Sequence, residues 1–169
     1  MNSIKSTKIY LKKALLDDIP YIMNSERDKN NCEYVSQWSE QQHIEAISSH
    51  DKEEFIVYDN NNEKVGFIIL CNISNINKSI LIQRIVINKK NKGYGREVLG
   101  LIKKLCFIEY KTHRLWLDVK DHNFKAKNLY ESEGFITEGL LRESSKESDG
   151  SFCSQYIMSI IDREYLSNL

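Results

Sequence analysis

Two stretches of this sequence combine residue types that can hold an anion and move a proton. The first reads Arg84-Ile85-Val86-Ile87-Asn88-Lys89-Lys90-Asn91-Lys92-Gly93-Tyr94-Gly95-Arg96. An apolar strand ends, a basic loop with two glycines follows, and a long amphipathic segment begins. The first N–H groups of a helix have no intrahelical partner, and the helix dipole adds positive potential at that end. Glycines let a phosphate approach such a backbone closely. Lys89, Lys90, Lys92 and Arg96 add cationic charge around it. The chemistry on offer is phosphate or pyrophosphate binding. The competing reading is a plain strand-to-helix turn with solvated lysines. Two nucleotide motifs fail here. No Gly-Lys-Ser/Thr occurs, and Gly93-Tyr94-Gly95 is followed by Arg96, Glu97 and Val98 rather than a third glycine at the required spacing.

The second stretch, Asp118 to Phe135, repeats the pattern of strand end, loop and helix. Asn123 stands at the helix start. Tyr130 shares a face with Ala126, four residues away, and with Asn123 two turns back. A phenol there can give a proton to a leaving group, and an amide can hold a ligand's polar arm. A plain N-cap and a half-buried packing ring are the alternatives.

The elements that would position these groups follow from periodicity and breakers. Strands are predicted at 8–12, 55–58, 64–72, 79–87, 114–119, 135–145 and 152–161. Helices are predicted from Asp17, as cap, to about Arg27 or Asn30 with Pro20 in the first turn, and from the capping box Ser39-x-x-Gln42 to about Ser49. Two more span 93 or 94 to 109, with Val98, Ile102, Leu105 and Ile108 on one face, and 123–133, stopped by Gly134. An Asn-rich turn at 59–63 closes a hairpin. Residues 79–119 form a β-α-β unit, whose two strands should be parallel with a right-handed crossover. The expected fold is an α/β mixed sheet, mostly antiparallel, of about seven strands, with helices on both faces. One domain over residues 1–169 is expected, since one proline, seven glycines and no Ser/Gly-rich linker leave no boundary.

Composition narrows the function. Twenty-four Lys+Arg balance twenty-four Asp+Glu, against a general nucleic-acid or membrane-surface binder. No apolar run approaches a membrane span, and the N-terminal stretch lacks a signal peptide's apolar centre, so the cytoplasm is the expected compartment. Cys32, Cys71, Cys106 and Cys153 form no C-x-x-C. They are read as reduced thiols, mostly in the core, and no metal site is expected. His43 and His50, placed on one helix, and His113 and His122 beside a strand are read as surface or structural groups. Trp38, Tyr34 and Trp116 could line a cleft, although core packing is the commoner use.

Taken together, the two stretches resemble the GNAT superfamily of acyl-CoA-dependent N-acetyltransferases. Its pyrophosphate loop, Q/R-x-x-G-x-G/A, is read here as Lys90-Asn91-Lys92-Gly93-Tyr94-Gly95, with Lys in place of Arg or Gln. Its downstream N-x-x-A-x-x-L-Y and G-F are matched by Asn123, Ala126, Leu129, Tyr130, Gly134 and Phe135. The stretch from Asn31 to Trp38 and the ending Phe135–Gly139 with Leu141-Arg142 resemble the branch of ribosomal-protein N-terminal acetylases and spermidine acetyltransferases. The resemblance implies an acetyl-CoA cosubstrate lying between the strands at 79–87 and 114–119, a parallel pair. It implies backbone contacts from Ile85, Val86 and Ile87, and a pyrophosphate held by amides of Lys90, Asn91, Lys92, Gly93, Tyr94, Gly95 and Arg96. Asn123 would bind the cofactor arm, and Tyr130 would protonate the leaving thiolate. The acceptor would be a small amine such as a polyamine, or a protein N-terminus. Glu26, Asp28, Glu33 or a water chain would supply the base. A homodimer is expected from the same branch. A catalytically silent acyl-CoA-binding module of the same fold is the alternative function.

Overall fold

The computed structural model describes residues 4–167. The strands are β1 (Ile4–Lys5), β2 (Ile9–Lys13), β3 (Lys52–Asp59), β4 (Lys64–Cys71), β5 (Ser79–Ile87), β6 (Arg114–Lys120), β7 (Ile136–Lys146) and β8 (Phe152–Ile161). The helices are α1 (Ile19–Arg27), α2 (Glu40–Ser48), α3 (Tyr94–Lys104), α4 (Phe124–Ser132) and α5 (Asp162–Leu166). All eight strands join one sheet in the order β1-β2-β3-β4-β5-β6-β8-β7. Every pair is antiparallel except β5 and β6. The expected architecture is therefore correct, with one strand more than the seven anticipated. The extra strand, β1, is two residues long, too short to show alternation.

Alternation along the strands sends side chains to two cores. On one face Ile68, Ile80, Ile82, Leu115, Leu117 and Met158 pack under Val98, Leu99 and Ile102 of α3. On the other, Ile56, Phe67, Ile69 and Val86 pack with Ile22 of α1 and, at the edge, Ile47 of α2. Burying an aliphatic side chain of this size contributes about 1.5–3 kcal/mol, so both layers are held firmly to the sheet.

Four local expectations change. Asp18, rather than Asp17, stands at the N-cap of α1, and its Oδ2 accepts from the Leu15 N–H at 2.9 Å. The helix after Gly93 does not run regularly to residue 109: Leu105–Glu109 is a π-helical turn. Its wider turn, closed by i→i+5 hydrogen bonds, buries Leu105, Cys106 and Phe107 in succession and leaves Ile108 half-buried. His50 lies beyond α2, so it shares no helix with His43. The carboxy-terminal α5, too short to show a period, was not expected. The capping box of α2 is present as read: Ser39 Oγ accepts from the Gln42 N–H at 3.3 Å, and Gln42 Oε1 accepts from the Ser39 N–H at 2.8 Å.

One glycine sets where the sheet opens. Gly66 of β4 pairs with Ile87 of β5, and a Cβ on it would lie 2.2 Å from the Val86 carbonyl oxygen. Only a residue without Cβ lets the outer half of β5 run this close to β4. The same pair of strands carries a register shift between Ile69/Leu70, opposite Arg84 and Ile82, which leaves Gln83 as the extra residue of a bulge. No helix among the described residues is long and apolar enough to cross a membrane.

Candidate active site

The bulge and the close β4–β5 approach have a consequence on the other side of β5. Parallel pairing with β6 covers only Ser79↔Arg114, Ile80↔Leu115 and Leu81↔Trp116. Beyond Leu81 and Trp116 the two strands part. β5 stays bound to β4, and β6 stays bound to β8 as far as Lys120. The facing edges of Ile85, Val86 and Ile87 and of Leu117 to Val119 therefore line a cleft of about 870 Å³. Strand edges that have lost their partner present N–H and C=O groups that must find other partners. A ligand with an amide-bearing arm is a chemically matched occupant.

At the end of β5 lies the basic loop. Asn91 has φ +60° and Gly93, the N-cap of α3, has φ +79°. No side chain caps this helix, so its first N–H groups are left for a ligand. Lys90, Asn91, Gly93, Tyr94, Gly95 and Arg96 all line the cleft; Lys92 is exposed but is not part of the lining. The lysines do not all face the cradle. Lys89 pairs with Asp59 at 3.2 Å and with Glu63. Arg96 is paired with Glu133 at 2.8 Å. Lys90 donates to Asn31 Oδ1 at 2.7 Å, and Asn31 in turn donates to Asn88 Oδ1 at 3.0 Å. This chain ties the loop to the end of α1. Two cations that sequence reasoning missed stand beside the cradle. Lys125, from the first turn of α4, donates to Asn91 Oδ1 at 2.9 Å. Lys8 Nζ lies 3.3 Å from where a Cβ on Gly93 would be. Burial, and then repulsion by Lys125, lower the pKa of Lys90. An anion placed between such ammonium groups relieves that repulsion.

Across the cleft, α4 supplies Asn123, Ala126, Leu129 and Tyr130 to the lining, as the shared-face reading requires. Asn123 Oδ1 accepts from the Ala126 N–H at 3.2 Å, so the residue is a true N-cap, and its Nδ2 group is what remains for a ligand. Tyr130 is half-buried. Burial, reinforced by the negative charge of Asp118, pushes its pKa up to about 12. The phenol thus stays protonated, the state a proton donor requires.

Asp118 is the residue that sequence reasoning did not single out as a candidate. In β6, Leu115, Leu117 and Val119 enter the core beneath α3, which turns Asp118 to the opposite face and into the cleft. Its carboxylate accepts from Gln155 Nε2 at 2.7 Å, and burial raises its pKa. A carboxylate in the middle of an otherwise apolar strand was the available signal.

The three carboxylates expected to serve as base fare differently. Glu26 is 1% exposed and bound to Arg84 of β5; its Oε2 accepts from the Trp38 N–H at 3.0 Å. That leaves it no access to a substrate. Asp28 is exposed and held below the usual carboxylate range, first by the Asn30 backbone N–H; it does not line the cleft. Glu33 does line the cleft, as does Tyr34. Trp38 and Trp116 do not. Trp38 packs on the Arg84 guanidinium, 4.8 Å from the ring centre, and Trp116 under Arg114 at 5.3 Å.

Behind the cleft, Glu26, His43, Glu54 and Arg84 form a buried network, each at most 3% exposed. His43 Nδ1 lies 3.0 Å from Glu54 Oε1, and Nε2 lies 3.4 Å from Glu26 Oε1. Arg84 also donates to Ser36 Oγ at 2.7 Å, which fixes the loop between α1 and α2 against β5. His43 is thus structural, as read, but fully buried. Cys71, Cys106 and Cys153 are buried and Cys32 is exposed, all four as free thiols.

Comparison with known proteins agrees with this geometry. The model of the acetyltransferase (GNAT) family matches residues 21–135. Spermidine N(1)-acetyltransferase of Vibrio cholerae is 27% identical over 173 residues, covering 96% of this chain and 98% of that protein. An uncharacterised prophage-derived N-acetyltransferase of Bacillus subtilis is 24% identical over 144 residues, covering 85% and 78%. Among solved structures, the Vibrio cholerae spermidine N-acetyltransferase in complex with CoA and spermine superposes with a TM-score of 0.85 at 25% identity, covering 95% of this chain and 99% of that one.

Proposed function

This chain belongs to the GNAT acetyltransferase family, and from that premise we propose how its residues divide the work and which amine they serve. The protein is an acetyl-CoA-dependent N-acetyltransferase. The loop from Lys90 to Arg96 holds the pyrophosphate with its backbone N–H groups, and Lys125 and Lys8 add charge. Ile85, Val86 and Ile87 receive the pantetheine arm along the free edge of β5, with the Asn123 amide on the opposite wall. Lys92 contributes its backbone.

The cosubstrate supplies a thioester, which an unprotonated amine attacks directly. Asp118 accepts a proton from the incoming ammonium. Its raised pKa moves it toward the operating range that a general base needs. A preorganised backbone N–H on β5 stabilises the oxyanion, and Tyr130 gives its proton to the departing sulfur. Holding amine and thioester in line between two rigid strands supplies much of the remaining acceleration. The observation that carries this reading is that Tyr130 and Asp118 both line the cleft between two parting parallel strands.

The proposed acceptor is a polyamine. Asp118 and Glu33 on the cleft wall, with the exposed Tyr34 ring beside Glu33, suit a flexible chain carrying more than one ammonium. The similarity to a spermidine acetyltransferase supports the same class. A homo-oligomer is also proposed. Strand β7 is exposed along nearly its whole length, with Ile136, Leu140 and Leu141 57, 45 and 48% exposed, and a second copy is a fitting cover for that face.

The test is an acceptor screen read by free-thiol release, with sedimentation of the same sample. Spermidine and spermine should turn over faster than peptides with a free N-terminus. Turnover of peptides alone overturns the polyamine reading and leaves the transferase intact. Tight acetyl-CoA binding with no turnover of any amine indicates the silent module instead. A monomer at micromolar concentration removes the oligomer.

A further inference from the structure

A second cluster of reactive side chains lies at the end of β6, apart from Tyr130 and the pyrophosphate loop. His122 stands in the turn before α4, Glu147 follows β7, and Cys153 lies near the start of β8. One ligand atom from each lies within 4.8 Å of the others. Imidazole nitrogen, carboxylate oxygen and thiolate sulfur make a borderline-soft set that suits zinc better than magnesium or calcium. Metal–ligand bonds of about 2.0–2.3 Å in a tetrahedron put ligand atoms roughly 3.3–3.6 Å apart. The trio therefore closes on an ion by side-chain rotations of about an ångström.

A separate observation points to a ligand here. Glu147 Oε1 is buried and finds no nitrogen or oxygen donor, only the Cys153 thiol beside it. Its other oxygen, Oε2, is taken by Lys120 Nζ at 2.7 Å. The carboxylate thus turns this oxygen toward a buried thiol and a half-exposed imidazole. A thiol is a weak hydrogen-bond donor, and a cation held by both groups satisfies this buried acceptor better than the thiol proton does. The outer shell is also in place. Lys120 fixes the carboxylate and donates to the Glu33 carbonyl at 2.7 Å. Asp121 Oδ1 lies 3.2 Å from His122 Nδ1, the kind of carboxylate support that metal-binding histidines carry. The imidazole, 36% exposed in its side chain, gives an entry path from solvent.

We propose that His122, Glu147 and Cys153 bind a zinc-class divalent cation that pins the β7–β8 hairpin to the β6–α4 turn. The thiol proton goes to solvent on binding, and thiolate and carboxylate then balance the ion's two charges. The site holds the acceptor rim of the cleft in shape and takes no part in acetyl transfer. Sequence reading gave no sign of it, because the three ligands come from three segments with no motif spacing.

Cobalt(II) titration of the chelator-treated full chain tests the site, in a Cys32→Ser background that removes the exposed thiol. The expected result is a near-ultraviolet thiolate-to-cobalt band and tetrahedral visible bands, saturating at one equivalent and displaced by zinc. Cys153→Ser should abolish the near-ultraviolet band. His122→Ala and Glu147→Gln, at positions open enough to keep the fold, should each weaken zinc binding at least about tenfold. Absence of a thiolate band at one equivalent overturns the proposal. So does a band that survives in Cys153→Ser, or unchanged zinc affinity in the other two variants.

Discussion

In the proposed mechanism Tyr130 and Asp118 handle two different protons, and burial raises the pKa of both groups. Tyr130→Phe keeps the ring and its packing and removes only the hydroxyl. If the phenol protonates the leaving thiolate, kcat should fall by roughly 10²–10⁴-fold while acetyl-CoA affinity stays level. Unchanged turnover in a folded variant would leave the ring a packing residue. Asp118→Asn should lower kcat too, with a loss that shrinks as pH rises, because the amine then arrives already neutral. A loss independent of pH would point to an anchoring role for the carboxylate. Its stability effect should have the opposite sign. Burial raises the Asp118 pKa, so the folded state disfavours the ionised form. Stability linked to this group is present below the unfolded carboxylate range and is lost as pH climbs through the folded value. At neutral pH the neutral amide should therefore raise Tm, which calorimetry reads directly; a lowered Tm would mean that the Gln155 hydrogen bond outweighs burial. That the glycine loop, Asn123 and Tyr130 would line one cleft was legible in the sequence, because each belongs to a strand-loop-helix stretch that is continuous in the chain. Asp118 was not singled out, since its role depends on which strand face is open. Glu26 was misread because its partners Arg84, His43 and Glu54 come from three other elements.

At the scale of elements, the cleft exists because β5 is bound on one edge only beyond Leu81. Gly66 draws it toward β4, the Gln83 bulge shifts its register, and pairing with β6 ends at Leu81. Strand and helix bounds were readable from alternation and caps, and the runs 79–87 and 152–161 were placed without error. The bulge, the π-turn and the parting of the strands were not. They arise from backbone approach between segments, which leaves no period in a single sequence. The loop that follows β5 concentrates this dependence in one residue. Gly93 holds φ +79° at the start of α3, a region that β-branched residues rarely enter. Its Cβ position lies in front of free N–H groups, 3.3 Å from Lys8 Nζ. Gly93→Val should weaken acetyl-CoA binding by at least about tenfold through the lost approach, and lower stability by about 1–2 kcal/mol through backbone strain. Calorimetric titration beside thermal melting separates the two. Normal acetyl-CoA affinity in a folded variant would mean that the pyrophosphate is not held at this loop.

For the whole molecule, equal numbers of acidic and basic residues give no net charge, so self-repulsion does not set how stability varies near neutral pH. Individual shifted groups decide instead, and His43 is the best placed of them. It lies fully buried between α1, α2, β3 and β5, facing the carboxylates of Glu26 and Glu54, with Arg84 bound to the same Glu26. Trp38 closes the site at 5.4 Å between ring centres. Two carboxylates against one guanidinium leave a negative charge that a protonated imidazole cancels. Burial opposes that proton, but hydrogen bonds and the charges of Glu26 and Glu54 outweigh it and hold the pKa at about 9. The folded value lies above the unfolded 6.5. The stabilisation is therefore fully present below about pH 6.5 and is lost as pH rises through about 9. At about 1.4 kcal/mol per pH unit, its size is about 3 kcal/mol, a large share of the 5–15 kcal/mol typical of a domain. His43→Gln keeps a polar group of similar reach and removes the titration. Urea unfolding at intervals from about pH 6 to about pH 10 should show wild-type stability falling across the window while the variant's curve is nearly flat, so that the two approach each other at the alkaline end. The same network fixes Ser36 and Trp38 of the loop beside the cleft through Arg84 and Glu26. Loss of the proton should therefore raise KM for the amine before the protein unfolds. Parallel curves for wild type and variant would show that the imidazole is neutral, and that Arg84 alone holds the two carboxylates together.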